Sequence, residues 1–359
     1  MKNGKLSDEK KEIINRLNGD TWKAQSINRI RKNAPLISII MSIYNEQEEW
    51  IRKSIESILE QTWKNIEFII VNDNPENEMG KMIINEYIEK DARIKLIENE
   101  RNVGLARSLN RAWQKARGSY IARMDADDIS FPERLEKEIY YLERNGLDMV
   151  SSNRIILSEQ EDGNEYCEEM PKGRKAELLL PYGDIIVHPS VLIKKNVLVD
   201  LNGYRNLVPA EDYDLWLRML SSGYKMGILD EPLIYYRMRG NGISNSNAFM
   251  QFLLTQYVKK LYHERKKSGG TDSFSDGNLN KYMEEKYSEK KKRKYEKARE
   301  YFDIGIQKWK KGRRVSGIGN VLKIFFIDYN CTCQMFLILK FKIKKKYIIF
   351  RDKCGIRGN

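Results

Sequence analysis

Residues 36–45 read "LISIIMSIYN" and follow directly after Pro35. Apart from Ser38 the run is apolar and rich in β-branched isoleucine until polar residues gather at its end. Strands with water on one face alternate apolar and polar residues, whereas strands buried on both faces read as apolar runs. The stretch therefore predicts a fully buried strand of a parallel sheet.

The residues that follow alternate between helical and strand patterns. Residues 50–59 place apolar side chains on one helical face, "IEFIIVND" (66–73) is a second buried strand, and 76–90 are helical. "RIKLIE" (93–98) is a third strand, "NVGLARSLNRAWQKARG" (102–118) a turn and helix stopped by Gly118, and "SYIARMD" (119–125) a fourth strand. This alternation predicts a mostly parallel α/β sheet flanked by helices.

The alternation weakens beyond residue 140. "DMVSSNRIIL" (148–157) and "DIIVHPSVLIKK" (184–195) resemble strands, 210–223 form an amphipathic helix with an acidic start, and 229–244 form a strand and loop. From about residue 246 the chain is helical and charged, and "SGGTDSFSDGN" (268–278) has the composition of a flexible linker.

The composition places the chain among globular proteins of the cytoplasm. Its 359 residues are 41% hydrophobic and 32% charged, enough for one large or two ordinary domains. The charged opening shows no secretory signal, and no apolar run reaches the roughly 18 residues of a bilayer span. Four cysteines (Cys167, Cys331, Cys333 and Cys354) lack the spacing of a metal site, which predicts free thiols.

The positive charge is confined to one end of the chain. Residues 281–359 carry 23 of the 64 Lys and Arg but only 8 of the 51 Asp and Glu, leaving 41 against 43 for residues 1–280. A near-neutral body with a basic extension results, and the body shows no nucleic-acid reader motif. We therefore expect no nucleic-acid partner.

Three carboxylates crowd the end of the fourth strand, in "YIARMDADDISFPERL" (120–135). Repulsion between Asp125 and Asp127 would fall if Mg²⁺ or Mn²⁺ lay between them and a diphosphate. A solvated turn is the alternative, because turns favour aspartate. Asp128 we expect to be structural, capping the turn before Pro132.

Further polar residues follow the other strands. Asp73 could accept a hydrogen bond from a base or a sugar hydroxyl, or cap a helix, and these uses are compatible. Tyr44 could stack on a base with Ser42 at the base's edge, or be a core tyrosine. Since ligands bind beyond the carboxyl ends of parallel strands, these residues and the aspartates predict one site.

For each of four more residues the sequence allows two possible roles. Asp212, near a helix start, is a general-base candidate or a helix cap. His188, in an extended segment before Pro189, is a metal ligand or a structural histidine. Arg237 and Arg239 could clamp a diphosphate or be exposed loop arginines.

In order, the chain carries "ISIIMSIYNE", "IEFIIVNDN", "NVGLARSLNRAWQKARGSYIARMDADDISFPERL", "VHPSVLIKK", "GYRNLVPAEDYDLWLRMLSSG" and "EPLIYYRMRGNGIS". With these motifs it resembles the family 2 glycosyltransferases, of GT-A fold, and among them the amylovoran-type exopolysaccharide enzymes. The resemblance implies domains at 34–245 (a nucleotide-binding half, 34–140, and an acceptor half, 141–245), preceded by a helical lead-in, 1–33, and followed by a basic, mainly helical extension, 246–359.

The resemblance also implies roles for single residues. Those for nucleotide-sugar binding are Ser42 and Tyr44 (base), Asp73 (pyrimidine ring), Arg107 (cleft lining) and Asp125 (ribose or donor sugar). Arg237 joins this set from its residue type alone, as a clamp for the diphosphate. Asp127 would hold the metal, and Asp212 would be the general base. Two departures stand out: the family's "DDGS" is "NDNP" here, with Asn72 replacing an acid, and the loop "MRGNGIS" lacks a common histidine.

The function implied is inverting transfer of a sugar from a nucleotide-diphosphate sugar, with UDP expected, to a glycan or lipid-linked acceptor. A nucleotidyltransferase is the alternative, but it would want a Gly-rich phosphate loop, which "SIYNEQEEW" lacks. A non-catalytic nucleotide-sugar-binding protein is a second alternative. The tail, 281–359, predicts a peripheral anchor on the inner face of the cell membrane, or a helical extension packed on the body.

Overall fold

The computed structural model describes residues 34–158, 166–167, 169–238 and 247–353, so the lead-in predicted for 1–33 lies outside the described residues. The strands there are β1 (Ile37–Ile43), β2 (Ile66–Asn72), β3 (Ile94–Glu98), β4 (Tyr120–Asp125), β5 (Ile129–Ser130), β6 (Met149–Ser158), β7 (Tyr166–Cys167), β8 (Leu192–Lys194) and β9 (Met226–Met238). The α-helices are α1 (Glu48–Leu59), α2 (Glu78–Lys90), α3 (Leu105–Lys115), α4 (Arg134–Arg144), α5 (Lys195–Asp200), α6 (Glu211–Ser221), α7 (Ala248–Ser268), α8 (Asp276–Lys286), α9 (Glu289–Lys310), α10 (Arg314–Ile327) and α11 (Tyr329–Lys353).

All nine strands join one sheet, ordered β3-β2-β1-β4-β8-β6-β9-β5, with β7 beside β6. The first four strands of this order pair in parallel. In β1 every residue is buried except Ser42, as its apolar run predicts. The predicted fold class, a mostly parallel α/β sheet flanked by helices, is confirmed.

Strand β8 lies between β4 and β6 in the sheet and pairs antiparallel with both. Just before it, "HPS" forms a 3₁₀ turn (His188–Ser190) instead of the predicted extended segment. The Ser190 hydroxyl lies 2.9 Å from the Ser151 hydroxyl and accepts from the Ser152 amide at 3.0 Å. These bonds replace ladder pairing and put His188 at the edge of the sheet, where a cleft opens.

Gly118 has a different use from the predicted helix stop. Helix α3 already ends at Lys115. The Gly118 amide donates to Ser38 Oγ at 2.9 Å, and a Cβ there would lie 2.6 Å from the Leu36 carbonyl oxygen. A glycine is required because the chain entering β4 passes directly against β1.

The stretch 268–278 is fixed to the body and does not act as the flexible linker its composition suggested. The Asp272 side chain is 4% exposed and accepts from Arg205 at 2.8 Å and from Arg265. The Ser273 amide and hydroxyl both donate to Glu264. Charge pairing across the chain therefore overrides the local Gly/Ser composition.

The helices after residue 247 begin inside the main core and continue over its surface. On α7, Tyr257, Val258 and Leu261 are buried in the same core as the sheet. No helix within the described ranges has both the length and the apolarity to cross a bilayer.

Candidate active site

A cleft of about 710 Å³ opens at the carboxyl ends of β1, β2 and β4. Eight of the nine site residues predicted from the sequence line it: Ser42, Tyr44, Asp73, Asp125, Asp127, His188, Asp212 and Arg237. The ninth, Arg107, is exposed on α3 and is not among the lining residues. The topology thus brings residues 170 positions apart into one site.

The three aspartates after β4 form a cluster. One carboxylate oxygen each from Asp125, Asp127 and Asp128 lies within 4.8 Å of the others. The Arg123 guanidinium pairs with both oxygens of Asp125, and Asp128 Oδ1 accepts the Arg237 amide at 2.8 Å. Asp128 therefore ties the cluster to β9, rather than capping the local turn as predicted.

The donor set of this cluster fits a divalent cation. Asp128 Oδ2 is buried and has no hydrogen-bond partner. Burial, together with the charges of Asp125 and Asp127, raises the pKa of Asp128 well above its usual range. Oxygen ligands are those that Mg²⁺ and Mn²⁺ prefer, and a cation would relieve both the repulsion and the orphaned oxygen.

Arg123 is a functional residue that the sequence reasoning missed. It is 4% exposed, lies on β4 and lines the cleft. The buried Arg134 holds this strand to the "HPS" turn, donating to the Arg123 carbonyl at 3.1 Å and the Pro189 carbonyl at 2.8 Å. An arginine inside an apolar strand, two residues before Asp125 and on the same face, was the signal that could have found it.

Asp212 also lines the cleft, from the first turn of α6. Its Oδ1 accepts the Tyr213 amide at 2.7 Å, and its Oδ2 is 3.8 Å from His188 Nδ1. Burial in the cleft raises the pKa of Asp212, and the Tyr213 hydrogen bond only partly opposes this. A carboxylate with a raised pKa and partial exposure can accept a proton from a ligand.

Its neighbour Glu211 was also missed. Burial and the adjacent Asp212 charge raise the pKa of Glu211 to about 8, and its Oε2 has no hydrogen-bond partner. At neutral pH Glu211 is therefore mostly protonated.

His188 faces Asp212 and is not part of the aspartate cluster. Its Nε2 lies 3.0 Å from the Tyr204 hydroxyl, and its ring meets Trp216 edge-on at 5.8 Å. Burial, with the nearby Arg123 charge, lowers the pKa of His188 well below its usual range, so the ring is neutral. A metal role for His188 stays a prediction.

The Asp73 carboxylate, which the sequence predicts to bind the nucleotide base, accepts three hydrogen bonds from the protein itself. It accepts from Asn99 Nδ2 at 2.7 Å, from the Val103 amide at 2.8 Å and from the Gly104 amide at 2.9 Å. Gly104, at φ +86°, turns the chain so that both amides reach this carboxylate. Because Asp73 also lines the cleft, base reading stays a prediction.

Tyr44 and Arg237 both line the cleft, and their side chains have different surroundings. Tyr44 is 43% exposed, which makes its ring accessible and not part of the core. Arg237 donates through Nε to the Asp127 carbonyl at 3.0 Å and stacks 4.8 Å from the centroid of the Trp50 ring. Arg239, its predicted companion, lies outside the described residues.

Residues 38–198 match the family model described as Glycosyl transferase family 2. The Methanocaldococcus jannaschii glycosyltransferase MJ1057 is 40% identical over 237 residues, which is 65% of this chain and 81% of that protein. The chain belongs to glycosyltransferase family 2.

Other relatives of this glycosyltransferase agree. The Escherichia coli O-antigen biosynthesis glycosyltransferase WbnJ is 34% identical over 64% of this chain and 94% of its own. The Erwinia amylovora amylovoran biosynthesis glycosyltransferase AmsE is 29% identical over 56% of this chain and 76% of its own. The resemblance to this family and its amylovoran-type members is confirmed.

The fold is shared with a solved structure. Staphylococcus aureus TarS 1–349, crystallised with UDP-GlcNAc, superimposes with a TM-score of 0.52 at 18% identity over 69% of this chain and 70% of that one. At this identity the likeness concerns the fold alone, which confirms the predicted GT-A architecture of the glycosyltransferase.

Proposed function

We propose that this glycosyltransferase moves a sugar, with inversion, from a nucleotide-diphosphate sugar to a hydroxyl of a glycan or lipid-linked oligosaccharide. The observation that carries the proposal is that one cleft is lined both by Asp125 and Asp127 of the aspartate cluster and by Asp212. UDP is the proposed nucleotide, supported by the UDP-GlcNAc complex of TarS. Cell-surface polysaccharide or glycoconjugate synthesis is the proposed setting, supported by the names of the WbnJ and AmsE relatives.

The donor would occupy the half of the cleft formed by β1, β2 and β4. Tyr44 offers an accessible ring for stacking on the base, with Ser42 and Asp73 at its polar edge. Asp125, half of an ion pair with Arg123, would contact the ribose or the donor sugar. Arg237, braced on Trp50, would meet the diphosphate, and Arg107 keeps its proposed place in the donor segment, outside the cleft lining.

Asp127 is the proposed metal ligand, with Asp128 beside it and His188 as the further ligand suggested by the sequence. When bound, Mg²⁺ or Mn²⁺ would neutralise charge on the leaving diphosphate. Arg123 pairs with Asp125, and the Arg237 amide bonds to Asp128. We therefore expect these two carboxylates to rearrange little when the metal binds.

Asp212 is the proposed base. It takes the proton of the acceptor hydroxyl while that oxygen forms its bond to the anomeric carbon, on the face opposite the nucleotide. The bond to the nucleotide diphosphate breaks in the same displacement, so the anomeric configuration inverts. His188 lies 3.8 Å away and is neutral, so it does not lower the proton affinity of Asp212 as a neighbouring cation would.

A donor panel tests this function. The purified chain is incubated with UDP- and GDP-sugars, with Mn²⁺ or with EDTA, and nucleotide release and product configuration are measured. We expect Mn²⁺-dependent release with one donor or a few, and an inverted product. A protein that binds a nucleotide sugar without releasing nucleotide would be the non-catalytic alternative, and a retained configuration would exclude the direct displacement.

We further propose the division into a donor half, 34–140, an acceptor half, 141–245, and a basic extension, 246–359. The chain would work at the inner face of the cell membrane, where a lipid-linked acceptor is presented. The extension supports this placement by its excess of Lys and Arg in residues 281–359.

A further inference from the structure

Helix α11 carries a line of exposed apolar side chains along one face. Phe336, Leu339, Ile343, Tyr347 and Phe350 are each 52–61% exposed. At 3.6 residues per turn these positions fall within about 80° of the helix circumference. We refer to these five residues as the α11 stripe. Large apolar side chains scattered singly are ordinary on surfaces, but a continuous row marks an interaction site.

Basic residues border the α11 stripe on both sides. Lys340 lies about 20° beyond one edge of the stripe, with its ammonium 5.3 Å from the Tyr182 ring centroid, and Lys346 lies about 20° beyond the other edge. The face away from the stripe packs on the body, where Ile348 is buried in the main core. The helix is therefore anchored by one face and presents an apolar row between cations on the other.

Helix α10 also carries exposed apolar side chains along one face. Val315, Ile318, Leu322, Phe325 and Phe326 are 45–91% exposed and share one face, which we refer to as the α10 stripe. The Phe325 and Phe336 rings meet at 6.0 Å between centroids, so the two stripes touch.

The two helices that carry the stripes are rich in basic residues. Between Arg314 and Arg351 the only acidic residue is Asp328, which is buried. The same span contains eight Lys and Arg.

We propose that the α10 and α11 stripes together bind the surface of an anionic lipid bilayer. Apolar rings would enter the interface while the bordering lysines remain at the level of the lipid phosphates. A second copy of this chain fits less well, because stripe-to-stripe packing would bring rows of lysine together with no acid to offset them. Charge complementarity therefore selects an acidic lipid surface.

The body-facing side of α11 touches the segment leading into the cleft. Phe341 packs against Gly183, and the Lys344 ammonium lies 5.7 Å from the Tyr182 ring centroid. Asp184, the next residue, lines the cleft. Docking through the stripes would thus hold the acceptor half of the cleft beside the bilayer, a consequence that rests on the proposed use of a lipid-linked acceptor.

Vesicle flotation of the full chain tests the surface. The vesicles are phosphatidylcholine alone or an equal mixture with phosphatidylglycerol. The stripe variant carries Phe326→Gln, Ile343→Gln and Phe350→Gln. We expect its partitioning onto the mixed vesicles to fall by about tenfold or more, since three large apolar groups no longer enter the interface.

The matched control places the same three changes on exposed apolar residues of the body: Met82→Gln, Leu178→Gln and Val199→Gln, each 54–58% exposed. Partitioning should stay within about twofold of the unaltered chain. A charge pair, Lys342→Glu with Lys346→Glu, should lower binding more than Arg293→Glu with Lys294→Glu on α9, which changes net charge equally.

Equal flotation of the stripe variant and the unaltered chain would overturn the proposal. So would a dimer, seen by light scattering, that only the stripe variant dissociates while vesicles go unbound. Nucleotide release from a soluble donor is measured in parallel and should be the same in both proteins. If release is absent while stripe-dependent flotation persists, the proposed function fails and the bilayer surface stands.

Discussion

Two groups of carboxylates lie at the cleft, and the side chains and amides around them differ. Asp125, Asp127 and Asp128 lie beside guanidinium and amide donors, since Arg123 pairs with Asp125 and the Arg237 amide meets Asp128. Glu211 and Asp212 lie at a helix start beside a neutral histidine, and burial raises the pKa of both. We propose that the first group holds positive charge and that the second takes up a proton.

The contrast shows how one residue type acquires two roles. Carboxylates in different surroundings can divide charge binding from acid–base work. In the first group, Arg123 pairs with Asp125 and the Arg237 amide bonds to Asp128, whose pKa is also raised by burial. In the second group, Asp212 lies beside the Tyr213 amide and the neutral His188. If this division is right, substitutions in the two groups must fail in different ways.

The largest effect is expected for Asp212→Asn. Because the amide cannot accept a proton, kcat should fall about 10²- to 10⁴-fold, while donor affinity stays nearly unchanged. Initial rates and calorimetry of donor binding check this. Glu211→Gln is the matched control: Glu211 is mostly protonated at neutral pH, so its amide analogue should retain activity within about tenfold. Loss of donor binding with turnover retained in Asp212→Asn would contradict the assignment.

The Asp127→Asn variant should bind the metal and the sugar donor more weakly. Removing one carboxylate from the cluster weakens the metal, so we expect the donor KM and the Mn²⁺ concentration needed for half activity to rise about 10- to 100-fold. Titrating Mn²⁺ at fixed donor concentration measures this. Undiminished activity in the variant, or activity of the unaltered chain in EDTA, would remove the metal role.

Arg123→Met should lower stability. It leaves Asp125 beside two other aspartates without its cation, and removing one partner of a buried pair costs about 3–5 kcal/mol. Because Asp125 is partly exposed, we expect a smaller loss of about 2 kcal/mol in the free energy of unfolding. Urea denaturation measures it. The double variant with Asp125→Asn should recover part of the loss; if it recovers none, the two residues are not coupled.

The smallest effect is on the pH profile. A general base works only when deprotonated, so kcat/KM should fall as pH decreases through the pKa of Asp212. Since burial raises that pKa, the acid limb should lie above the ordinary aspartate range. Rates measured from acid to neutral pH check the position of the limb. A limb in the ordinary range would mean that the surroundings of Asp212 do not shift its titration.

The central strands could be read from the sequence because burial on both faces leaves a local mark. β1, β2 and β4 appear where their apolar runs lie, and their polar ends do meet at one cleft. Five of the nine predicted residues line that cleft because the carboxyl ends of parallel strands share an edge: Ser42, Tyr44, Asp73, Asp125 and Asp127. His188, Asp212 and Arg237 reach the cleft from a 3₁₀ turn, from α6 and from β9.

What could not be read depends on contacts between distant residues. Asp128 bonds to an amide 109 residues away, and Ser190 draws "HPS" into a turn by bonding to β6. Asp272 fixes a Gly/Ser-rich stretch through Arg205, which no local pattern reveals. Arg107 follows its motif along the chain, yet its side chain points from α3 into solvent.

Calorimetry of a UDP-sugar with Asp127→Asn and Asp212→Asn, each with and without Mn²⁺, tests the division of roles most directly. The prediction is that Asp212→Asn binds the donor as the unaltered chain does, with the same Mn²⁺ dependence, whereas Asp127→Asn loses the Mn²⁺-dependent part of the affinity. Equal loss of binding in both variants, or Mn²⁺-independent binding throughout, would contradict it.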